Sequence, residues 1–332
     1  MHIPDNYLSP STCAAMGVAM LPVWAIAVKK VKAEVSKKRM PLLGIGSAFS
    51  FLIMMFNIPL PGGTTGHAVG GTLVAILLGP FSACICVTIA LLIQALLFSD
   101  GGILAFGANC FNMAFVLPFT GYFVYKFIKS RVKSEGGDYK SAFIGSYIGI
   151  NIGVLCAAIE LGIQPLLFKD AAGMAIYCPF PLSVSVPYML VPHLLVAGIL
   201  EGIITAGVYS YIKNLSPELI YQGSTKKMKP LYGLIIAMIL LTPLGLLAGG
   251  TAWGEWGTDE ISSVVSGGKV LGFIPKAMEQ GFKFNTLMPD YAFNGIPPIL
   301  AYILSAIFGV AIVIILFKII TSIKKKNSEL QQ

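Results

Sequence analysis

Apolar residues form long continuous runs along this chain, separated by short polar or basic segments. Between Met40 and Ser99 there is no Asp, Glu, Lys or Arg, which is room for about three membrane spans of roughly 20 residues each. The runs lack the alternation of apolar and polar residues that a membrane β-barrel requires. The pattern therefore predicts an all-α, polytopic integral membrane bundle. Its predicted helices lie at about residues 11–28, 41–58, 67–79, 81–98, 103–127, 141–163, 187–212, 230–250 and 296–318.

Composition supports the same class. The 332 residues are 56% hydrophobic and only 11% charged, which excludes a soluble domain with an ordinary polar surface. The third of the nine predicted helices is short because it ends at Gly79-Pro80. Whether it spans the bilayer fully is left open at this point.

The basic residues indicate the orientation of the bundle. Nineteen of the 23 lie in four segments, at residues 29–39, 126–140, 213–229 and 318–326, which an outside N-terminus places on the cytoplasmic side. This bias is the one that the positive-inside rule describes. The sequence thus predicts an external N-terminus and a cytoplasmic C-terminus. The net charge of +8 is a topology signal and gives little support to a nucleic-acid partner.

Two histidines mark a candidate metal site on the outer side. His2 precedes the first predicted helix and His67 begins the third, so an even number of crossings separates them and they can meet. The amine of Met1, the deprotonated amide of His2 and its imidazole can form fused five- and six-membered chelate rings, and His67 can add a fourth nitrogen. Planar nitrogen sites suit Ni(II) or Cu(II), and Co(II) can be accommodated. Asp5 is a candidate acceptor that orients an imidazole.

Other polar groups in the apolar runs have two interpretations each. Asn109 and Asn112 share a helix face and either join helices or line the floor of the ion site. His193 is either a hydrogen-bonded core residue or a further ligand. Glu160 and Glu201 are functional candidates because ionisable groups are rare within spans, but structural pairing explains them equally simply. The six cysteines show no spacing typical of a disulfide framework or a zinc site.

Several motifs together resemble a known family, the CbiM/NikM proteins. They are Met1-His2-Ile3-Pro4-Asp5 with Tyr7-Leu8-Ser9-Pro10, Gly66-His67 with Gly70-Gly71, and the stretch from Gln94-Ala95-Leu96-Leu97-Phe98 through Asp100-Gly101-Gly102 to Gly107-Ala108-Asn109 and Asn112-Met113-Ala114. These proteins are substrate-binding (S) components of energy-coupling-factor (ECF) transporters in prokaryotic plasma membranes, which import cobalt or nickel. The resemblance implies that Met1, His2 and His67 hold the transported ion. Asn6 departs from the family pattern, which has Gly there.

The resemblance also suggests a division of the chain. Residues 1–215 look like the S component, residues 216–229 form a basic linker, and residues 230–332 look like the two-helix accessory component CbiN or NikN, fused to the C-terminus. The weaker second similarity rests on layout and on the motif from Thr251 to Gly257. Trp253 and Trp256 in that motif serve equally well as interface anchors. The role of the outer loop at 251–294 is left open.

The partners that the family implies are a transmembrane coupling (T) subunit and cytoplasmic ATPase subunits. The sequence contains no G-x-x-x-x-G-K-[ST] motif, so a P-loop for ATP is absent from it. Small residues four apart can let helices approach closely in lipid. Such residues either form a docking surface or pack within the chain. In this sequence they are Ala15, Ala19, Gly71, Ala75 and Gly79.

Two other function classes stay open from the residues. A secondary transporter requires repeats and ionisable groups near the midplane, and a membrane metalloenzyme requires an open coordination position with a base nearby. Neither pattern is evident, so we expect a transporter subunit without a resident cofactor. Its cargo is Co2+ or Ni2+, between which the ligands do not distinguish.

Overall fold

Apolar helices form the body of the molecule, in a computed structural model that describes residues 1–34, 39–132, 136–217, 228–266 and 269–329. Within these residues seven helical stretches are long and apolar enough to cross a membrane. They are Pro10–Ala33, Pro80–Phe98, Phe106–Arg131, Gly137–Leu167, Leu182–Leu215, Lys229–Leu247 and Pro298–Ile320. The other two predicted helices exist but are shorter, at Met40–Met54 and Gly71–Leu78. The polytopic helical class is thus confirmed, with nine as an approximate count of spans.

The elements follow one another in a simple order. The α-helices are α1 Pro10–Glu34, α2 Met40–Met54, α3 Gly71–Leu78, α4 Pro80–Ile93, α5 Phe106–Asn109, α6 Leu117–Arg131, α7 Gly137–Gly162, α8 Gln164–Leu167, α9 Leu182–Pro192, α10 Gly198–Leu215, α11 Lys229–Leu241, α12 Lys276–Gln280 and α13 Pro298–Glu329. Short 3-10 turns lie at Thr242–Leu247, Ile261–Ser263 and Pro289–Tyr291. Four short strands pair as two antiparallel hairpins, β1 Ile58–Leu60 with β2 Thr64–Gly66, and β3 Val265–Ser266 with β4 Lys269–Val270.

Three of the long helices contain a π-helical stretch. Gln94–Phe98 extends α4, Cys110–Val116 joins α5 to α6, and His193–Ala197 joins α9 to α10. Such wide turns are uncommon and are frequent at functional sites. Pro192, which lacks an N–H and crowds the preceding turn, immediately precedes the third stretch.

The segment between α2 and α3 differs from the predicted one. Its residues form the β1–β2 hairpin, so α2 ends at Met54 and α3 begins at Gly71, whereas residues 58 and 67 were expected inside helices. Gly62 and Gly63 turn the hairpin with positive φ angles of 94° and 74°, a conformation that glycine adopts without steric cost. His67 consequently lies in the extended stretch after β2 and not on a helix.

The small-residue stripe on α3 packs inside the chain. Gly71 and Ala75 are buried, and α3 contacts α4 and α6. A Cβ on Gly71 would meet the Leu117 side chain at 3.1 Å, which leaves little room for a larger residue. The buried part of this stripe is therefore unavailable for docking. Ala15 and Ala19 on α1 are exposed, and their docking role stays a prediction.

An ion-pair cluster joins three helix ends at one end of the bundle. The Asp138 carboxylate at the start of α7 lies 3.0 Å from Lys129 of α6 and 2.8 Å from Lys213 of α10. Basic segments from different parts of the sequence therefore meet there, although the orientation in a membrane remains a prediction. Basic residues that lie outside the described part of the chain are Lys37, Lys38, Lys133, Lys226 and Lys227.

Candidate metal centre

The first residues of the chain are held firmly against the loop before α5. Asn109 pairs with Ile3 twice, since the Ile3 amide donates to its Oδ1 at 2.8 Å and its Nδ2 donates to the Ile3 carbonyl at 3.0 Å. The Gly102 amide donates to the same carbonyl at 2.9 Å. Asn109 thus fixes the backbone beside His2, while its expected place in the floor of the ion site is untested. A Cβ on Gly101 would come within 3.2 Å of the His2 ring, so this loop fits closely around it.

Asp5 has a different partner from the expected imidazole. Its carboxylate accepts hydrogen bonds from the backbone amides of Ile103 at 3.1 Å and Leu104 at 2.7 Å. Charged acceptors make strong hydrogen bonds with backbone N–H groups. Asp5 therefore anchors the residues before α1 to the loop before α5. This corrects its expected role as a histidine acceptor.

The two predicted histidines face each other directly. His2 Nδ1 lies 3.1 Å from His67 Nε2, and the ring centroids are 4.9 Å apart. Nδ1 is the atom that a six-membered chelate ring through the His2 amide requires. Two nitrogens bound at right angles to one ion, each at about 2.0–2.1 Å, are separated by roughly 2.9 Å. The imidazoles therefore stand near the separation that a shared ion needs.

His67 is oriented by contacts of its ring and of the residues that follow it. Its Nδ1 lies 3.1 Å from the Ala68 carbonyl, so an Nδ1–H tautomer leaves the Nε2 lone pair facing His2. The buried Glu201 carboxylate on α10 accepts from the amides of Val69 at 2.8 Å and Gly70 at 3.0 Å. Glu201 therefore fixes the backbone that follows His67, in agreement with the structural-pairing interpretation.

The centre is almost closed to solvent. Met1 and His2 are 3% exposed and His67 is 5% exposed. Burial, and next the charge of the terminal amine, lowers the pKa of His2 to about 4 and the pKa of His67 well below its usual value. Both imidazoles are therefore neutral near pH 7, which is the form that binds metals.

The terminal amine contacts an acidic residue from far along the chain. The Met1 nitrogen lies 3.1 Å from Glu255 Oε1, a residue of the C-terminal segment, as we name residues 228–329. The same segment covers neighbouring groups, because Trp256 accepts from the Tyr7 hydroxyl at 2.8 Å and Thr251 accepts from Thr64 at 3.2 Å. The loop at residues 251–294 of the C-terminal segment thus contacts the residues before α1 directly.

The C-terminal segment also reaches His2 indirectly, because its Tyr291 contacts Asp100. Asp100 Oδ1 is 3.1 Å from His2 Nδ1, and Asp100 Oδ2 accepts from Gln94 Nε2 at 2.9 Å and from the Tyr291 hydroxyl. Gln94 also donates to the Tyr291 hydroxyl at 2.9 Å. Burial raises the pKa of Asp100, and the hydrogen bonds from Tyr291 and Gln94 act in the opposite direction. The four side chains form one connected hydrogen-bond network.

The remaining candidates have partners of their own. Asn112 donates to Glu160 Oε2 at 2.9 Å, a pair that links the π-helical stretch before α6 to α7. His193 Nδ1 lies 2.7 Å from the Met189 carbonyl, and its buried Nε2 has no hydrogen-bond partner among the described residues. These contacts favour structural roles for Asn112 and Glu160, whereas a ligand role for His193 stays untested.

Sequence reasoning assigned no role to three residues that contact the centre. These are Asp100, Glu255 and Tyr291. Asp100 belongs to the Asp100-Gly101-Gly102 motif, which was the available signal. Within the described residues no three His, Cys, Asp or Glu side chains form a group that could hold a metal alone.

Comparison with known families covers nearly the whole chain. The family described as CbiM, "Cobalt uptake substrate-specific transmembrane region", matches residues 2–219, and the PDGLE domain matches residues 227–326. The fused nickel transport protein NikMN of Rhodobacter capsulatus is 43% identical over 332 residues, covering 95% of each chain. The cobalt transport protein CbiM of Ruminiclostridium cellulolyticum is 31% identical over 221 residues, covering 66% of this chain and 85% of that protein.

Two solved structures match about two thirds of the chain. A crystal structure described as a transition metal transporter is 53% identical, with a TM-score of 0.62, and covers 69% of this chain and 100% of its own. A truncated transition metal transporter is 56% identical, with the same TM-score of 0.62, and covers 64% of this chain and 99% of its own.

Proposed function

Since the chain belongs to the CbiM family and carries a C-terminal PDGLE domain, we propose that it captures Co2+ or Ni2+ for import across a membrane. The ion is held by the amine of Met1, the amide and Nδ1 of His2, and Nε2 of His67. Four nitrogen donors can form a planar set of the kind that Ni(II) prefers. The metal is the cargo, and the proposal includes no resident cofactor and no enzymatic activity.

One observation carries the proposal. The His2 Nδ1 to His67 Nε2 separation of 3.1 Å joins two residues that are 65 positions apart in the sequence, inside a nearly closed site. These two nitrogens can share one hydrogen between them, which a metal ion replaces when it binds. A divalent transition metal satisfies both lone pairs at once.

The transport context follows from the family resemblance. We propose that the chain is the S component of an ECF-type transporter in a prokaryotic plasma membrane, with the metal centre on the outer side. A separate T subunit and separate cytoplasmic ATPase subunits supply the energy. The absence of a P-loop motif from the sequence supports this division of labour.

Nickel is the cargo that we favour within the pair. The relative from Rhodobacter capsulatus that spans 95% of this chain, including the C-terminal segment, carries nickel in its name. The relative named for cobalt covers 66% of this chain. Competition between radioactive nickel and unlabelled cobalt for uptake by cells that carry the whole transporter tests this choice. Stronger inhibition by cobalt than by unlabelled nickel would contradict it.

The decisive experiment uses the terminal amine. The full chain, tagged only at its C-terminus, is purified and titrated with NiSO4, and bound metal is measured by elemental analysis after dialysis. A variant with three glycines added before Met1 keeps every side chain but displaces the amine from the chelate, and it avoids the amine-x-x-His chelate that a single added residue would create, so we expect binding to disappear. Equal affinity of the extended and unextended chains would refute the proposed site.

A further inference from the structure

Tyr291 joins the C-terminal segment to the surroundings of the metal centre. It lies in the C-terminal segment, yet its hydroxyl reaches Asp100 and Gln94 beside the metal centre. Its ring is 6% exposed and stacks on Phe98 with centroids 4.7 Å apart. The ring is thus built into the core of the first two thirds of the molecule.

The backbone at this point adopts a rare conformation. Asp290 and Tyr291 have positive φ angles of 53° and 60°, which residues with side chains seldom adopt. The Ser305 hydroxyl of α13 donates to the Tyr291 carbonyl at 3.0 Å and holds this turn in place. Local strain of this kind persists where the surrounding structure enforces it and is frequent at functional sites.

The direction of the hydrogen bonds identifies what the hydroxyl does. A tyrosine hydroxyl has one hydrogen to donate, and the Gln94 amide already donates its own hydrogen to the Tyr291 oxygen. The Tyr291 hydrogen therefore points to Asp100 Oδ2. With Oδ2 engaged by Tyr291 and Gln94, the other oxygen, Oδ1, is left facing His2 Nδ1 at 3.1 Å.

The Asp100 carboxylate can compensate the positive charge of a bound ion. A divalent ion brings two positive charges into a site where Met1, His2 and His67 are nearly inaccessible to solvent, and an uncompensated buried charge is costly. We propose that Tyr291 is a positioning residue of the metal centre, whose hydroxyl fixes the Asp100 carboxylate against His2. The C-terminal segment thereby tightens metal binding at a site whose nitrogen ligands all come from elsewhere. This inference rests on the proposed function.

The test compares two tyrosines of the same aromatic cluster. Tyr291→Phe removes the hydroxyl and keeps the ring. Tyr302→Phe is the matched control, because its ring lies 5.4 Å from that of Tyr291 and its hydroxyl makes no hydrogen bond in the described part of the chain. NiSO4 is titrated into the full-length chain, and tryptophan fluorescence reports binding, since Trp253 lines the same small cavity as Met1.

Groups just outside the metal ligands commonly contribute about ten- to hundredfold in metal affinity, here through the negative charge of Asp100 beside His2 Nδ1. We expect Tyr291→Phe to weaken nickel binding by that factor and Tyr302→Phe to leave it within about twofold of the parent chain. The absorption spectrum of the nickel-saturated variant stays unchanged, because its nitrogen ligands are intact. Equal affinities of the two variants would overturn the inference.

A double-mutant cycle shows whether the effect passes through Asp100. In an Asp100→Asn background, Tyr291→Phe is expected to cause no further loss of affinity, and an undiminished second loss contradicts the inference. If Tyr291→Phe unfolds more easily than Tyr302→Phe, Asp100→Asn alone must reproduce the loss.

Loss of binding in the glycine-extended chain, together with normal binding by Tyr291→Phe, overturns this inference and leaves the proposed function standing. Normal binding by the extended chain overturns the proposed function.

Discussion

Residues 1–217, which we name the N-terminal segment, and the C-terminal segment contribute different chemistry to one centre. The N-terminal segment holds every candidate nitrogen ligand, on Met1, His2 and His67. The C-terminal segment adds oxygen groups, the Glu255 carboxylate at the amine and the Tyr291 hydroxyl at Asp100. Nitrogen donors select the type of metal, whereas the surrounding oxygens set charge and orientation. The contributions of the two segments to metal binding can therefore be measured separately.

The largest effect is expected from the nitrogen donors. His2→Ala and His67→Ala each remove one imidazole from the shared site, and we expect nickel binding to fall below detection in both. His193→Ala is the comparison variant, because the proposed four-nitrogen site includes no His193 atom although the His193 Nε2 has no hydrogen-bond partner among the described residues. Elemental analysis of the three purified variants measures the difference. Loss of nickel from His193→Ala as well would mean that the centre extends to α9 and α10.

Removal of the C-terminal segment should cause a smaller loss. A chain that ends at residue 217 retains all four nitrogens but loses Glu255 and Tyr291, so we expect nickel affinity to fall by roughly ten- to hundredfold. A truncated transition metal transporter that is 56% identical is known as a crystal structure and covers 64% of this chain. Titration of both chains under the same conditions measures the change. An unchanged affinity would show that the C-terminal segment does not act at the centre.

Within the N-terminal segment, Glu201 provides a finer test. Glu201→Gln weakens the hydrogen bonds from Val69 and Gly70, and hydrogen bonds to charged groups contribute about 1.5–3 kcal/mol each. We expect the free energy of unfolding to fall by about 1–3 kcal/mol and nickel affinity to fall severalfold, because the backbone after His67 loosens.

The matched control for Glu201 is Glu160→Gln. Glu160 is also buried, but it pairs with Asn112 and not with the backbone next to His67. Denaturant unfolding should register both substitutions, whereas nickel titration should register Glu201→Gln alone. Equal nickel affinities of the two variants would mean that Glu201 supports the fold without orienting His67.

The smallest effect is expected at Asn6, which links the two segments. Asn6 has a positive φ of 69° and exchanges two hydrogen bonds with the Phe282 backbone, at 2.8 Å and 2.9 Å. Asn6→Gly loses about 0.5–1.5 kcal/mol per hydrogen bond but relieves roughly 1–2 kcal/mol of left-handed strain. We therefore expect a change in unfolding free energy within about 1 kcal/mol and nearly normal nickel binding.

Asn6→Ala separates these two contributions. Alanine loses the same hydrogen bonds but keeps the left-handed strain, so thermal unfolding should occur at a lower temperature than for Asn6→Gly. Identical unfolding of the two variants would show that backbone strain plays no part at this position.

The fold was largely predictable because apolar runs specify membrane helices strongly. The exception lies at residues 58–70, where an uncharged apolar composition conceals the β1–β2 hairpin. Its turn depends on the left-handed Gly62 and Gly63, and the start of α3 depends on the left-handed Gly70. A hydrophobicity pattern contains no information about these backbone angles, so the ends of two helices were wrong.

The centre was predictable only in its nitrogen groups. The position of His2 and the turn before His67 indicate chelation locally, and the crossing count allows the two residues to meet. Contacts of Glu255 and Tyr291 join residues separated by 254 and 191 positions, which no local pattern reveals. Asp5 was assigned to the wrong partner. Its carboxylate accepts hydrogen bonds from backbone amides about 100 positions away, which only the tertiary structure brings near.

Attachment of Glu255 and Tyr291 to the same polypeptide as Met1, His2 and His67 has a thermodynamic consequence. Tethered groups meet at an effective concentration on the order of millimolar, independent of the amount of protein in the membrane. One ion pair and a few hydrogen bonds can then hold the C-terminal segment against these residues, where a separate subunit would need a broad apolar interface.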